Sequence, residues 1–341
     1  MKKWGLILGV VLVVGLLIAR SLYQRIFGVV ESRTSGSIEL FVPSESKYED
    51  LVEGLIRSGA LMNRDDFDWV TEKKDFHDAV KPGRYVIEEG ITMNDLVNKL
   101  RAGDQDPVKM VVSEVRTIES LAGKMSTSVE VDSLTIYQYL SSPEVWSKYG
   151  FDEQTFPSLF IPNSYEVWWT DDAEILTARM ASEYKKFWNE ERKAKAAGFG
   201  LSQSEVSTLA SIVKAETNNM QEAPDVAGVY LNRIRIGMPL QADPTLVFAL
   251  GDFSIQRVLD RHKEIKSPYN TYKNLGLPPG PINIPNSGYI DAVLNAPRHK
   301  FLYFCASPDM DGTHDFAKTY SQHLNNANKY QRALNQRGIY R

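Results

Sequence analysis

The sequence predicts an α+β protein in three parts: an N-terminal membrane anchor, a small α+β module, and a larger, mainly helical domain with short strands. Three observations predict it. Two lysines precede an unbroken apolar run. A short apolar strand followed by an amphipathic helix then recurs three times. From residue 131 on, apolar residues recur at helical spacing, punctuated by glycine and proline.

The bulk composition agrees. The chain has 341 residues, which suggests about two domains. Hydrophobic residues make up 43 % and charged residues 24 %, which excludes a disordered tail, a collagen-like fibre and a multi-span membrane protein. With 39 Lys+Arg against 43 Asp+Glu, the net charge is −4, so no electrostatic argument points to nucleic acid. The one cysteine, Cys305, excludes an internal disulfide and a Cys-based zinc site. Within the apolar run Phe301–Ala306 it reads as a small core residue.

The anchor comes first. Residues 1–3 read as a cytoplasmic tail and 4–23 as the span. Trp4–Ala19 carry no polar side chain, and Arg20 closes the run. As a helix that run rises about 24 Å against a hydrocarbon core of about 30 Å. Ser21, Leu22 and Tyr23 lengthen it while Arg20 snorkels. Lys2 and Lys3 favour a cytoplasmic N-terminus, and Arg20 and Arg25 weigh against it. The rival is a cleaved signal peptide with small residues at −3 and −1 of its cut, which Leu17-Ile18-Ala19 fits poorly. Either way the bulk of the chain is exported. Residues 24–37 read as a linker, polar from Glu31 to Ser37.

The module spans 38–130. Its strands are Ile38–Val42, Arg84–Ile87 and Lys109–Val112. Its helices begin at Tyr48, Met93 and Ile118, each with apolar residues at positions one, four, five and eight, which is one helical stripe. A structural spacer and a cell-wall-binding module fit this pattern equally.

The larger domain spans 131–341. Leu134–Gly150 reads as helical. Phe156–Trp169 is dense in aromatics and proline, and Trp168 and Trp169 suit either sugar stacking or a core. Asp172–Ala197 reads as a helix with a solvated charged face, ended by Gly198 and Gly200. Ser202-x-x-Glu205 is a capping box that starts a further helix. Along it Val206, Leu209, Val213 and Glu216 follow at spacings of 3, 4 and 3, which puts Glu216 on the apolar stripe near the helix C-terminus. Desolvation and the negative end of the dipole both raise the pKa of a carboxyl placed there. Such a group can protonate a leaving oxygen at neutral pH; the alternative is a glutamate that turns out to solvent. Pro224 and Asp225 open the next helix, which Gly237 ends. Asp243 reads as an N-cap with Pro244 at the first helical position, and Gly251 ends that helix. Ser267–Tyr272 and Gly276–Ile282 are loops stiffened by proline. Their neutral hydrogen-bonding groups and aromatics suit a polyhydroxylated ligand, unless they only brace the chain.

Other chemistries fail on their motifs. His77, His262, His299, His314 and His323 form no H-E-x-x-H. Ser211-x-x-Lys214 matches the S-x-x-K acyl-transfer motif, as Ser44-x-x-Lys47 does, but S-D-N and K-T-G are absent. His314–His323 reads as a turn into a helix, with its histidines holding a loop or a ligand.

Six segments, in order, then carry a resemblance. Leu209–Thr217, Tyr230–Arg233, Leu240–Thr245, Tyr269–Tyr272, Gly276–Ile282 and Gly312–Thr319 resemble the YceG-like family, the endolytic murein transglycosylases. The likeness covers almost the whole chain and implies a LysM-like character for the 38–130 module and a catalytic domain at 131–341. It implies cleavage of the MurNAc–GlcNAc β-1,4 bond, with Glu216 as acid and then base, a 1,6-anhydro product, no metal and no cofactor. It also implies that Gln241, Asp243, Thr245, Asn270, Thr271, Tyr272 and Asn232 bind the glycan. Implied partners are peptidoglycan strands and peptidoglycan synthases. The implied location is the inner membrane, single-pass, with the catalytic domain outside. Two departures touch the cleft edge: Asn283–Gly288 lacks the family's Asn-Pro-Gly, and Gln322-His323 replaces its Glu-His. Two alternatives stay open: a hydrolase pairing Glu216 with Asp225 or Asp243, and a wall-binding scaffold with an inert cleft.

Overall fold

A computed structural model describes residues 2–33, 35–78 and 80–339. Met1 of the expected tail, Thr34 of the expected linker and residues 340–341 of the expected catalytic domain lie outside them. The chain is helix-rich α+β and divides into two units. Unit 1 comprises residues 1–110, 128–131 and 166–172, and unit 2 comprises 111–127, 132–165 and 173–341.

Unit 1 begins with α1 (Lys2–Phe27). Its stretch Leu6–Phe27, 22 residues, is long and apolar enough to cross a membrane, and its most apolar window is unburied. The helix runs past the expected end of the span at residue 23. Arg25 pairs with Asp66 and lies 4.9 Å over the Trp69 ring. The expected 24–37 linker is therefore partly helix and partly docked chain. Val30 is buried and donates to Ile91 O at 2.9 Å, and Arg33 donates to Gly59 O at 2.8 Å.

A β-α-α-β unit follows: β1 (Ile38–Val42), α2 (Tyr48–Ser58), α3 (Arg64–Lys73) and β2 (Gly83–Ile87). The strands pair antiparallel, Ile38 opposite Ile87 and Val42 opposite Gly83. Along β1, Leu40 and Val42 turn inward while Glu39 and Phe41 turn out, the period-two alternation of a one-sided sheet. Helix α3 was not anticipated, because its first turn is charged. Asn63 caps it by accepting from the Asp66 amide, and Phe67, Val70 and Thr71 form its buried stripe. Helix α4 (Met93–Ala102) adds Leu96, Val97 and Leu100 to a core that includes Val52, Leu55, Phe67, Phe76 and Tyr85. Trp169 stands edge-on to Phe41 at 5.2 Å, a packing role; Trp168 is exposed.

The third copy of the strand–helix pattern departs from the first two. Strands β3 (Val108–Val112) and β4 (Asn163–Val167) lie where the chain passes between units. Helix α5 (Ile118–Ser126) falls in unit 2, where it packs on α6 (Ser133–Leu140). Its stripe of Leu121, Ala122 and Met125 is buried as the spacing requires, but in a different core. The division observed thus differs from a boundary at 130/131.

The rest of unit 2 is mostly helical: α7 (Pro143–Tyr149), α8 (Ala173–Phe187), α9 (Glu190–Gly198), α10 (Gln203–Glu216), α11 (Ala223–Arg235), α12 (Asp243–Leu250) and α13 (Ser287–Leu294). The long helix expected over 172–197 breaks at Asn189, whose side chain caps α9. Strands β5 (Tyr303–Ala306) and β6 (His314–Ala317) form an antiparallel hairpin, Ala306 opposite His314, before α14 (Tyr320–Gln336). The stretch expected as a turn at His314 is therefore a strand. Among the described residues no strand forms at the proline-rich loops. Cys305 is half-buried on β5.

Helix α10 sits at the centre. Val206–Val213 are all buried, and α9, α11, α12 and α13 surround the helix. Such a helix has no free face along its middle, so its C-terminal end is where a side chain can meet both core and solvent.

Candidate active site

Helix α10 ends at Glu216, and Thr217 leaves it with extended backbone, φ −139° and ψ 141°. The site opens there, as a cleft of about 700 Å³ in unit 2 whose walls include Glu114, Arg116, Lys214, Glu216, Asp243 and Phe253. Glu216 keeps part of its surface open to the cleft and is packed on its other sides. Burial is the largest influence on its carboxyl and pushes the pKa up to about 7, with Asp243 adding to the rise. The Tyr230 hydroxyl donates to Oε1 at 2.8 Å and pulls the other way, as do His314 and Arg233. Of the two influences the sequence suggests, desolvation leads.

Tyr230 reaches Glu216 from α11, which starts at Ala223 with Pro224 in its first turn. Burial pushes its phenol well above the ordinary value, so it stays a donor. One turn on, Arg233 is buried. Its Nε donates to Leu302 O at 2.7 Å and its Nη1 to Leu240 O at 2.6 Å. Carbonyls take its hydrogen bonds, so its charge acts on Glu216 without capturing the carboxylate. Burial lowers its pKa.

Asp243 does not cap α12 as expected. The N-cap is Ala242, and Asp243 is the first helical residue. No side chain caps α12; two threonines hold the N-cap residue instead. Thr271 Oγ1 accepts from Ala242 N at 3.0 Å, Thr245 Oγ1 donates to Ala242 O at 2.7 Å, and the two hydroxyls meet at 2.9 Å. That frees the Asp243 carboxylate to face the cleft, where Tyr272 donates to Oδ1 at 2.6 Å.

The residues expected to bind ligand therefore separate. Glu216 and Asp243 line the cleft, and Tyr272 adjoins it through Asp243. Thr245, Thr271 and Asn270 are fully buried beneath it. Asn270 donates to Lys263 O and Ile265 O, both at 2.8 Å, and so holds its own loop. Asn232 donates to His299 O at 2.9 Å and Phe301 O at 3.0 Å, which ties α11 to the approach to β5. The polar atoms of these four are engaged within the protein, Asn232 Oδ1 by Arg235 and the others by backbone or by each other. Gln241 is exposed, with a left-handed φ of 51°, and lies outside the residues lining the cleft. Asp225 has its carboxylate 3.8 Å from His299 Nε2, also outside that lining.

Sequence reasoning gave Tyr230 and Arg233 no role of their own, although they bound one of the six family-like segments. It also missed the wall at residues 114–116, which had been grouped with the N-terminal module. Ile284 N donates to Val115 O at 2.8 Å and Lys214 pairs with Glu114 at 3.2 Å, and these bonds hold that wall in unit 2. Arg116 lies 4.9 Å over the Phe253 ring. Ser211 of the S-x-x-K match is buried. It donates to Thr208 O at 2.7 Å and accepts from Ile282 N at 2.9 Å, so it pins the proline-rich loop to α10. In that loop Gly280 is required by space: a Cβ would stand 1.9 Å from Gln154 O.

Residues 40–329 match the model of the YceG-like family. An endolytic murein transglycosylase of Bacillus subtilis is 25 % identical over 328 residues, covering 90 % of this chain and 89 % of the relative. An endolytic murein transglycosylase of Streptococcus pneumoniae is 24 % identical over 311 residues, covering 81 % of this chain and 55 % of the relative, so this chain spans about half of that protein. The solved structure of a YceG-like protein from Listeria monocytogenes superposes with a TM-score of 0.56 at 23 % identity, over 86 % of this chain and 99 % of that one. That likeness speaks to the fold.

Proposed function

The chain belongs to the YceG-like family, and on that premise we propose that it is an endolytic lytic transglycosylase that cuts the MurNAc–GlcNAc β-1,4 bond of peptidoglycan strands. One observation carries the reading: a carboxyl at the end of a buried helix, raised to about 7 and facing a cleft. Near neutral pH a large fraction of Glu216 is protonated, which suits it to give a proton to the leaving O4. The Tyr230 hydroxyl orients the carboxyl and supports the carboxylate left behind. Asp243 places a negative charge in the same cleft, where the sugar ring develops positive charge and the substrate's N-acetyl group assists. Glu216 then takes the proton of the C6 hydroxyl, and the 1,6-anhydro ring closes without water.

A second reading has one observation in its favour. Asp243 is a second carboxylate in the cleft, as a muramidase would need. Mass spectrometry of products from peptidoglycan separates the two, run beside Glu216→Gln. Anhydro-ended fragments from the wild type alone support the lytic reading. Fragments heavier by one water, about 18 Da, would make it a hydrolase. Glycan binding with no products from either protein would make it a scaffold.

The rest of the proposal concerns placement. We read α1 as a single-pass anchor in the cytoplasmic membrane with both units outside, the β-α-α-β unit as a LysM-like glycan-binding module, and peptidoglycan synthases as partners. Protease protection in sealed vesicles tests the orientation, and pull-down of the isolated polymer tests the module.

A further inference from the structure

Shortly after Glu216 in the chain comes a buried carboxyl that the proposed chemistry does not use. Glu222, in the turn between α10 and α11, is buried, yet accepts three hydrogen bonds. Thr217 Oγ1 donates to Oε1 at 2.7 Å, His314 Nδ1 meets the same oxygen at 2.7 Å, and the His314 amide donates to Oε2 at 3.0 Å. A buried carboxyl left unpaired is costly, and here three donors satisfy it.

Two routes lead from this pair back to Glu216. The first runs along the backbone. Thr217 is the residue after Glu216, and Glu222 holds its side chain while Tyr289 donates to its carbonyl at 3.1 Å. The second runs through rings. His314 stands edge-on to Phe304 at 5.3 Å, Phe304 stands edge-on to Tyr230 at 5.8 Å, and Tyr230 donates to Glu216. The two routes close a loop around the Glu216 carboxyl.

We propose that Glu222 and His314 form a carboxylate–imidazole positioning pair that fixes Glu216 from both its backbone and its side-chain ends. The pair also sets the balance between the acid and base forms of Glu216, which is faced by Tyr230 and Arg233 from α11, Asp243 from α12 and His314 from β6. Of these, His314 and Arg233 act to favour the base. His314 is held by Glu222 on one side and Phe304 on the other. The role presupposes Glu216 as the group that moves the proton.

The test uses purified full-length protein: wild type, His314→Gln, Glu222→Gln, Glu222→Asp and the double Gln variant. Steady-state rates on peptidoglycan are followed against pH. In parallel, ¹³C NMR of glutamate-labelled protein follows the Glu216 carboxyl, assigned through Glu216→Gln. His314→Gln and Glu222→Gln should each lower kcat about 10- to 100-fold, the range for a misplaced catalytic group. KM should stay within about threefold, the double variant should be no worse than the poorer single, and Glu222→Asp should recover part of the loss. His314 acts to lower the Glu216 pKa, so in His314→Gln the alkaline limb of kcat/KM and the NMR midpoint should both move to higher pH. A rate loss no larger than the loss of folded protein, with limb and midpoint unmoved, overturns the proposal. If the wild type makes no anhydro product, the catalytic reading fails, and the NMR midpoint alone decides the pair: a shift upholds it and no shift overturns it.

Discussion

The β-α-α-β unit and the surroundings of α10 are built to different ends. The core of unit 1 is apolar almost throughout; Thr71 and Asp171 are its buried polar residues among those described. Unit 2 buries Glu222, Arg233, Thr245, Asn270 and Thr271. Apolar burial is non-directional and satisfies itself. Buried polar groups cost free energy unless every donor and acceptor is met, and when they are met they fix geometry. The comparison teaches where to look for chemistry: unit 2 carries a cost that unit 1 avoids, and what that cost secures is the placement of Glu216.

The largest expected effect tests that cost directly. Glu216→Gln should lower the rate by a factor on the order of 10³ or more, as removal of a group acting in the transition state does. It should also stabilise the protein at alkaline pH. The folded-state pKa of about 7 lies above the ordinary 4.5, so the unfolded chain releases this proton first as pH rises. Stability from this group is therefore full below about 4.5, declines between there and about 7, and is lost above. The decline amounts to at most about 3 kcal/mol, less where solvent reaches the carboxyl. Thermal melts at pH 5 and pH 8 check it. The Gln variant should match the wild type at the lower pH and exceed it at the higher one. A Gln variant less stable at pH 8 would mean that unit 2 incurs no such cost.

The next prediction strikes the other region. Phe67 is fully buried in unit 1, and Phe67→Ala should cost about 3–5 kcal/mol there. The folded fraction should still make the same products, because no residue of the cleft belongs to that core. Denaturant unfolding with product analysis on the folded protein reads both. A change in product type would break the separation between the two regions.

The two regions also differed in how legible they were. The strands of unit 1 and the starts of α2, α4 and α5 follow from apolar spacing, because a one-sided core imposes a period that the sequence must show. Helix α3 escaped because its charged first turn hides a stripe of Phe67, Val70 and Thr71. In unit 2 the spacing located Glu216 and its burial. It did not show that Thr245 and Thr271 would hold the start of α12 while Asp243 lined the cleft, or that the amide nitrogens of Asn232 and Asn270 would be spent on backbone carbonyls. Hydrogen-bond partners far apart in sequence have no period. The wall at 114–116 was misplaced for a related reason: the pattern that predicts a strand and a helix says nothing of which core they join.

A smaller effect sharpens the account of the cleft. Asp243 raises the pKa of Glu216, so Asp243→Asn should lower it and draw the alkaline limb of kcat/KM to lower pH. The rate at pH 7 should fall about tenfold or more, since both the protonated fraction and the negative charge in the cleft are reduced. The fold should hold, because Thr271 and Thr245 hold Ala242 at the start of α12 without Asp243. An unmoved limb would remove Asp243 from the electrostatics of Glu216 and leave burial alone as the cause.

The smallest effect asks how far the control of Glu216 extends along its own helix. Ser202 Oγ accepts from Glu205 N at 3.2 Å, and the Glu205 carboxylate accepts from Ser202 N at 2.7 Å, which closes the box at the start of α10. Ser202→Ala should cost about 1 kcal/mol of stability. Helix α10 has 14 residues, so Glu216 stands about 20 Å from that cap. Between them lies a buried run from Val206 to Val213 that frayed ends do not reach. The rate at 25 °C and the alkaline limb should both stay as in the wild type. A rate loss beyond about threefold would show that the placement of Glu216 depends on the whole helix. The polar cluster at its C-terminal end would then be one contributor among several, and the contrast between a self-satisfied core and a polar framework that fixes one carboxyl would lose its force.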